Sequence, residues 1–257
     1  MNAVLQPIGR TFLNGLAAMG RLTLFSMKSL VNCVQPPFYP RLILRQMIEI
    51  GYYSLPYVGM TAVFTGMVLA LQTYTGFNVG AEAAMPKVVV ISLTRELGPV
   101  LAALIVAGRI GAAMAAEIGT MRVTEQIDAL STLNTNPYRY LIAPRLIAGI
   151  TMLPLLVAVA DVIGIFGGYI VSVYKLHFNA GNFVKNVVEA THFIDVFSGL
   201  VKAAVFGYVI ALMGCYHGFH SRGGAQGVGK ATTNSVAASM ILILILDYIV
   251  TELFFAR

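Results

Sequence analysis

Arg95 and Glu96 stand side by side within a long apolar segment, Val88 to Ala116. A charge in hydrocarbon is costly, so an ionisable residue inside a membrane segment is by default a candidate for function. The pair opens the string RELGPV, Arg95 to Val100, and further on the chain reads EIGTMRVTEQIDAL, Glu117 to Leu130. A charged pair in a membrane helix followed by a polar helix on one side of the bilayer suggests a transport subunit. Neighbours on a helix point about 100° apart, so Arg95 and Glu96 cannot simply neutralise one another and each needs a further partner. Gln72 is expected near the outer end of the preceding span, where an antiparallel hairpin would bring it to a similar depth. Two chemistries fit: an Arg holding a phosphodiester in a lipid-facing cavity, or a structural polar cluster that binds helices together. The residue types admit both.

The elements that must position these groups follow from composition. The chain has 257 residues, 58% hydrophobic and 11% charged, with a mean hydropathy of +0.79. Soluble domains carry about 25% charged residues, so the chain is expected to be a polytopic, all-α integral membrane protein forming one domain. The net charge of +6 does not point to nucleic acid, because Lys and Arg are scattered between apolar spans as topology signals. Two cysteines are too few for a disulfide framework. The first residues lack a compact apolar core and a small-residue cleavage site, so no cleavable signal is expected.

Residues 8–32 are predicted to form an amphipathic interfacial helix. Arg10, Asn14, Arg21, Lys28 and Asn32 share one face, and Ile8, Phe12, Leu16, Met19, Met27 and Leu30 lie opposite. Basic residues on the polar stripe suit anionic headgroups. Pro36, Pro37 and Pro40 end it. Five spans follow, at about 50–75, 88–116, 141–174, 196–216 and 234–255, each long enough for a bilayer core. The third, with Pro144 and Pro154, is long enough to tilt or kink, and Tyr169 and Tyr174 fit an interface. With the N-terminus inside, the inner segments carry eleven Lys and Arg residues and the outer ones five: Lys87, Lys175, Lys185, Lys202 and Arg257. The N-terminus is therefore expected in the cytoplasm and the C-terminus outside. No internal repeat is legible, which does not favour an inverted-repeat carrier.

Ala103, Ala107, Gly111, Ala115 and Gly119 form a small-residue face suited to close helix packing, within or between subunits. Gly224 to Lys230 reads GAQGVGK, but Ala231 stands where a P-loop needs Ser or Thr and a membrane helix precedes it; a flexible glycine-rich cytoplasmic loop is expected. Cys215, His217 and His220 lack an evident fourth ligand for a metal and are expected at the interface. Asp161 and Asp247, inside spans three and five, suit either a proton path or a helix cap. No nucleophilic triad is legible.

At RELGPV, at GRIGAAMAAEIGTMRVTEQIDAL and at KATTNSVAASMILILILDY (Lys230 to Tyr248), the chain resembles the MlaE/YrbE permeases, membrane subunits of ABC transporters that work with MCE-domain proteins on lipids. The resemblance covers nearly the whole chain. It implies a homodimer whose protomers each have an N-terminal interfacial helix and five transmembrane helices, with a cytoplasmic coupling helix between the second and third. It implies a partner ABC ATPase (MlaF-like) that carries the ATP and Mg, no cofactor in this chain, a STAS-domain protein (MlaB-like) and a hexameric MCE protein (MlaD-like). A phospholipid is implied between the two permeases, with Arg95 and Glu96 at the cavity and Leu69 and Gln72, in the string GMVLALQ (Gly66 to Gln72), lining it. The coupling helix matches Glu117 to Leu130, with Glu117, Met121, Arg122, Thr124, Glu125 and Asp128 facing the ATPase. The implied place is the inner membrane of a Gram-negative bacterium, and the implied task is phospholipid movement between inner and outer membranes that maintains outer-membrane asymmetry. The residues themselves leave three rivals: an ion-coupled carrier relaying through Arg95, Glu96, Asp161 and Asp247, an intramembrane enzyme using the histidines, and a structural anchor for a soluble complex.

Overall fold

The computed structural model describes the backbone of residues 2–76 and 81–256, and the side chains of 13, 15–76 and 82–256. It is helical, with no strand among the described residues. A first helix, α1 (Asn2–Val34), precedes five helices long and apolar enough to cross a membrane. These are α2 (Pro40–Gly76), α3 (Glu82–Val123), α5 (Tyr138–Lys175), α7 (Phe193–Phe219) and α8 (Gly224–Phe255). Short helices α4 (Gln126–Thr132) and α6 (Ala180–Ala190) join α3 to α5 and α5 to α7. Each span outruns its predicted limits, because extending a formed helix adds one hydrogen bond per residue whereas starting another requires a costly nucleus.

α7 is the hub, packed against α3, α5 and α8. Of its most apolar window 61% is buried, against 17% for α8, so α8 presents most of its surface outward. Close approach depends on glycine. A Cβ at Gly66 would collide with the Gly164 carbonyl where α2 crosses α5, and one at Gly207 with the Gly149 carbonyl where α7 crosses α5. The small-residue face of α3 packs within the chain: Ala103, Ala107 and Ala115 are fully buried. Ser235 and Ser221 donate to the Gly111 and Gly119 carbonyls at 3.3 and 3.2 Å.

α1 packs on the bundle along one edge. Phe25 and Ser29 are buried, Ser26 Oγ lies 2.6 Å from Tyr208 Oη, and Asn32 Oδ1 accepts from Arg139 Nε at 3.0 Å. This edge is docked on the protein. Leu16, Met19, Met27 and Leu30 remain exposed. Ile8, Arg10, Phe12 and Asn14 lie outside the described side chains. His220 sits 4.5 Å from the Tyr216 ring and 5.8 Å from Phe25, in the aromatic seat that receives α1. The segment Gly224 to Lys230 is the start of α8 and not a flexible loop. Gly223 and Gly224, at φ of 89° and 66°, make the tight turn that lets the helix begin there.

Candidate functional site

The site begins with a proline. Pro99 has no N–H and its ring crowds the carbonyl four residues back, that of Arg95. The helix answers with a π-helical turn over Leu93–Leu97, in which the Gly98 N–H donates to the Leu93 carbonyl. Such turns widen a helix and recur at functional positions. The Arg95 carbonyl, which can receive no hydrogen bond from Pro99, accepts from Lys202 Nζ at 3.0 Å.

Lys202 is fully buried in α7. Its ammonium also donates to Glu96 Oε2 at 2.6 Å and pairs with Asp247 Oδ1 of α8 at 2.9 Å. Arg95 Nε donates to Asp195 Oδ1 at 2.7 Å, and Asp195 is 1% exposed. Asp195 Oδ2 accepts from the His192 N–H at the start of α7, so one carboxylate both caps that helix and orients the guanidinium. Thr251 Oγ1 lies 3.1 Å from Glu96 Oε1, and the Phe255 ring lies 4.3 Å under Arg95 Cζ, a cation–π distance. Asp195, Gly199 and Lys202 fall on one face of α7 at i, i+4 and i+7. A Cβ at Gly199 would collide with the Thr94 carbonyl, so this glycine brings the face against the π turn.

Two cations and three carboxylates thus join α3, α7 and α8 inside the bundle. The arrangement has a buried part, Lys202 and Asp195, and an accessible half at Arg95 and Glu96, with Asp247 partly exposed between them. The side chains of Arg95 and Glu96 are 32% and 38% exposed. Arg95 uses Nε for its protein hydrogen bond; among the described residues its Nη groups have none. They remain as a planar pair of donors.

Lys202 and Asp195 are the members of the candidate site that sequence reasoning missed. Lys202 was expected among the outer charges that report topology; the structure instead seals it in the bundle, which leaves four outer charges against eleven and keeps the same orientation. The signal was present: a lone Lys inside an apolar span, seven residues after an Asp, meets the criterion applied to Arg95.

Leu69 and Gln72 lie elsewhere. With Met60, Thr61, Phe64, Thr65 and Val68 they line an open groove of about 530 Å³ along α2. The expectation that Gln72 reaches the depth of the charged pair does not hold. Ala62 of α2 and Leu93 of α3 meet Gly164 at one level, so Gln72, ten residues on, stands roughly 15 Å further out. Met60 and Thr61 are the groove residues nearest the level of the charges. Thr61 and Thr65 also line a narrow slot that reaches Leu97 and Leu101 of α3. Asp247 belongs to the cluster, whereas Asp161 does not: it is 7% exposed, lies against Gly98, and its Oδ1 has no partner among the described residues.

The segment expected to form one coupling helix is two pieces. Glu117, Met121 and Arg122 are in the final turns of α3. The chain then turns at Thr124 and Glu125, where Glu125 takes the left-handed conformation (φ 59°), and resumes as α4. Buried Ile127 anchors α4, and Arg122 Nη1 donates to Asp128 Oδ1 across the corner at 2.6 Å. Thr124, Glu125 and Asp128 are exposed, while Glu117 pairs with buried Arg145 at 2.7 Å. With Asp128 60% and Arg122 34% exposed, Arg122→Ala is expected to change stability by less than about 1 kcal/mol. Recovery of monodisperse protein after graded heating checks this.

Comparison with known proteins adds an independent line. Residues 43–253 match the family model described as Permease MlaE. A probable ABC transporter permease of Rickettsia bellii is 53% identical over 253 residues, covering 98% of each chain. One from Synechocystis is 44% identical over 213 residues, covering 82% of this chain and 81% of the other. The intermembrane phospholipid transport system permease of Haemophilus influenzae is 33% identical over 255 residues, covering 98% and 97%.

Proposed function

The chain belongs to the MlaE permease family of multi-pass ABC transporter permeases, and from that premise we propose that it carries phospholipid between the inner and outer membranes and so maintains outer-membrane asymmetry. The observation that carries this reading is the accessible half of the charge cluster. Arg95 is fixed in plane by Asp195 and Phe255 yet keeps its Nη donors free of protein hydrogen bonds among the described residues, the geometry that receives phosphate oxygens. Glu96 tunes the same polar edge. The α2 groove runs outward from that level to Leu69 and Gln72, and its apolar wall suits acyl chains.

The working unit is a homodimer in the inner membrane of a Gram-negative bacterium, with the N-terminus cytoplasmic and the C-terminus periplasmic. The free face of α1, with Leu16, Met19, Met27 and Leu30 exposed, lies in the lipid interface. A cytoplasmic ATPase binds ATP and Mg and docks at the α3–α4 corner through Met121, Arg122, Thr124, Glu125 and Asp128, with Glu117 bracing the corner through Arg145. STAS-domain and hexameric MCE subunits complete the assembly. α3 joins the two functional ends: its inner end forms the corner and its middle carries Arg95 and Glu96, roughly 42 Å away at helical rise. ATPase closure that displaces the corner therefore moves the headgroup site.

The test is lipid mass spectrometry of the gently purified complex. Arg95→Lys keeps the charge but loses the fork, so bound phospholipid is expected to fall about tenfold, with assembly intact. Normal lipid occupancy with failed assembly would show that the cluster serves packing alone.

A further inference from the structure

At the end of the bundle that carries α4, a cavity of about 190 Å³ opens between α2, α3 and α5. By liquid volume it has room for roughly six waters. Its polar lining is Arg45 and Gln46 from α2, Glu117 from α3, and Tyr140 and Arg145 from α5. Arg145 is 4% exposed. Its Nη1 donates to the Leu141 carbonyl at 2.6 Å and its Nη2 pairs with Glu117 at 2.7 Å. Its Nε, also buried, has no hydrogen-bond partner among the described residues. A buried guanidinium N–H left unmatched carries a full desolvation cost unless something else accepts from it. Arg45, on the rim, is exposed.

We propose that this cavity is a second lipid site, separate from the Arg95 edge and the α2 groove, which takes a phosphodiester headgroup bearing a short amine. Two arginines, a phenol and an amide supply donors to the phosphate, and bidentate or paired Arg contacts are the usual means of holding one. Glu117, half-exposed beside them, faces the ammonium. A lining with both signs of charge in so small a volume matches a zwitterionic head better than a purely anionic one. The cavity admits the headgroup and leaves the acyl chains outside, against apolar surface of the bundle. Glu117 and Met121 belong to the last turns of α3 before the α3–α4 corner, so an occupied site ties α2, α3 and α5 together at the root of that corner.

The experiment uses the full chain with the subunits that co-purify with it, delipidated and titrated with phosphatidylethanolamine, phosphatidylglycerol or inorganic phosphate, and read by native mass spectrometry. Arg45→Ala is the first variant, because Arg45 is exposed and its loss leaves the Arg145–Glu117 pair intact; Gln46→Ala is the second. The expected result is an ethanolamine-lipid equivalent that binds wild type at least about tenfold more tightly than Arg45→Ala. It should also bind more tightly than the glycerol lipid, with the preference weakened in Glu117→Gln. Unchanged binding in both Arg45→Ala and Gln46→Ala overturns the site. Full displacement by inorganic phosphate alone overturns the lipid source in favour of free phosphate. Absence of any Arg45-dependent lipid in the intact complex, where a subunit's side chain would fill the cavity, overturns it as well. The readout is a difference between wild type and Arg45→Ala, so it holds whether or not the α2 groove carries lipid.

Discussion

Lys202→Ala is expected to destroy the folded protein at temperatures where wild type persists. The ammonium is fully buried and is the partner of Glu96, of Asp247 and of the Arg95 carbonyl, which Pro99 cannot serve. Removing it leaves two carboxylates facing one another beside that carbonyl. Breaking a buried ion pair from one side costs up to about 3–5 kcal/mol when the remaining charge stays desolvated; Glu96 and Asp247 keep part of their hydration, so the lower end of that range is expected here. The opposite manipulation separates this from loss of volume. Lys202→Met combined with Glu96→Gln and Asp247→Asn removes every charge at once and is expected to recover most of the stability. The chain has no Trp, so heat-step gel filtration of a fluorescent-protein fusion is a better readout than intrinsic fluorescence. A Lys202→Ala variant as heat-resistant as wild type would show that these contacts contribute nothing to folding.

Gly199→Val is expected to have the second large effect. A Cβ at this position collides with the backbone carbonyl of Thr94. Backbone cannot move aside as a flexible side chain can, so α7 must separate from the π turn of α3. Overpacking of this kind costs about 1–3 kcal/mol. The separation also pulls Lys202 from the Arg95 carbonyl and Asp195 from Arg95, since both lie on the same face of α7. Gly199→Ala is expected to show the same defect at reduced size. Thermal recovery of the two variants checks the ordering. Equal stability of wild type, Ala and Val would mean that the helices do not meet at this glycine.

These two residues mark where the sequence was readable and where it was not. The charge at Arg95 and Glu96 stood out because it sits in the middle of apolar residues. The small-residue face from Ala103 to Gly119 was legible through its spacing of four. Lys202 meets the same standard as Arg95, yet a single cation near the start of a span also resembles a topology signal, and only its contacts separate the two meanings. Asp195 lies three residues after His192 at a helix start and reads locally as a cap; its ion pair with Arg95 crosses a hundred positions of chain. The Glu117–Leu130 segment carries an amphipathic pattern throughout, so its break at Glu125 is set by a left-handed backbone turn that periodicity does not register.

By itself the sequence determined that the protein is a bundle of apolar helices in a membrane, where its spans lie, which family it resembles, and that a charge pair sits in hydrocarbon. Local rules suffice for these, because span length, hydropathy and the isolation of a charge pair among apolar residues are properties of adjacent residues. Only the tertiary structure decided what the charges do. Their partners come from α7 and α8, at positions fixed by glycine-mediated helix crossings, and a crossing depends on which surfaces can approach closely. That information is shared between segments far apart in the chain, so no window of sequence contains it.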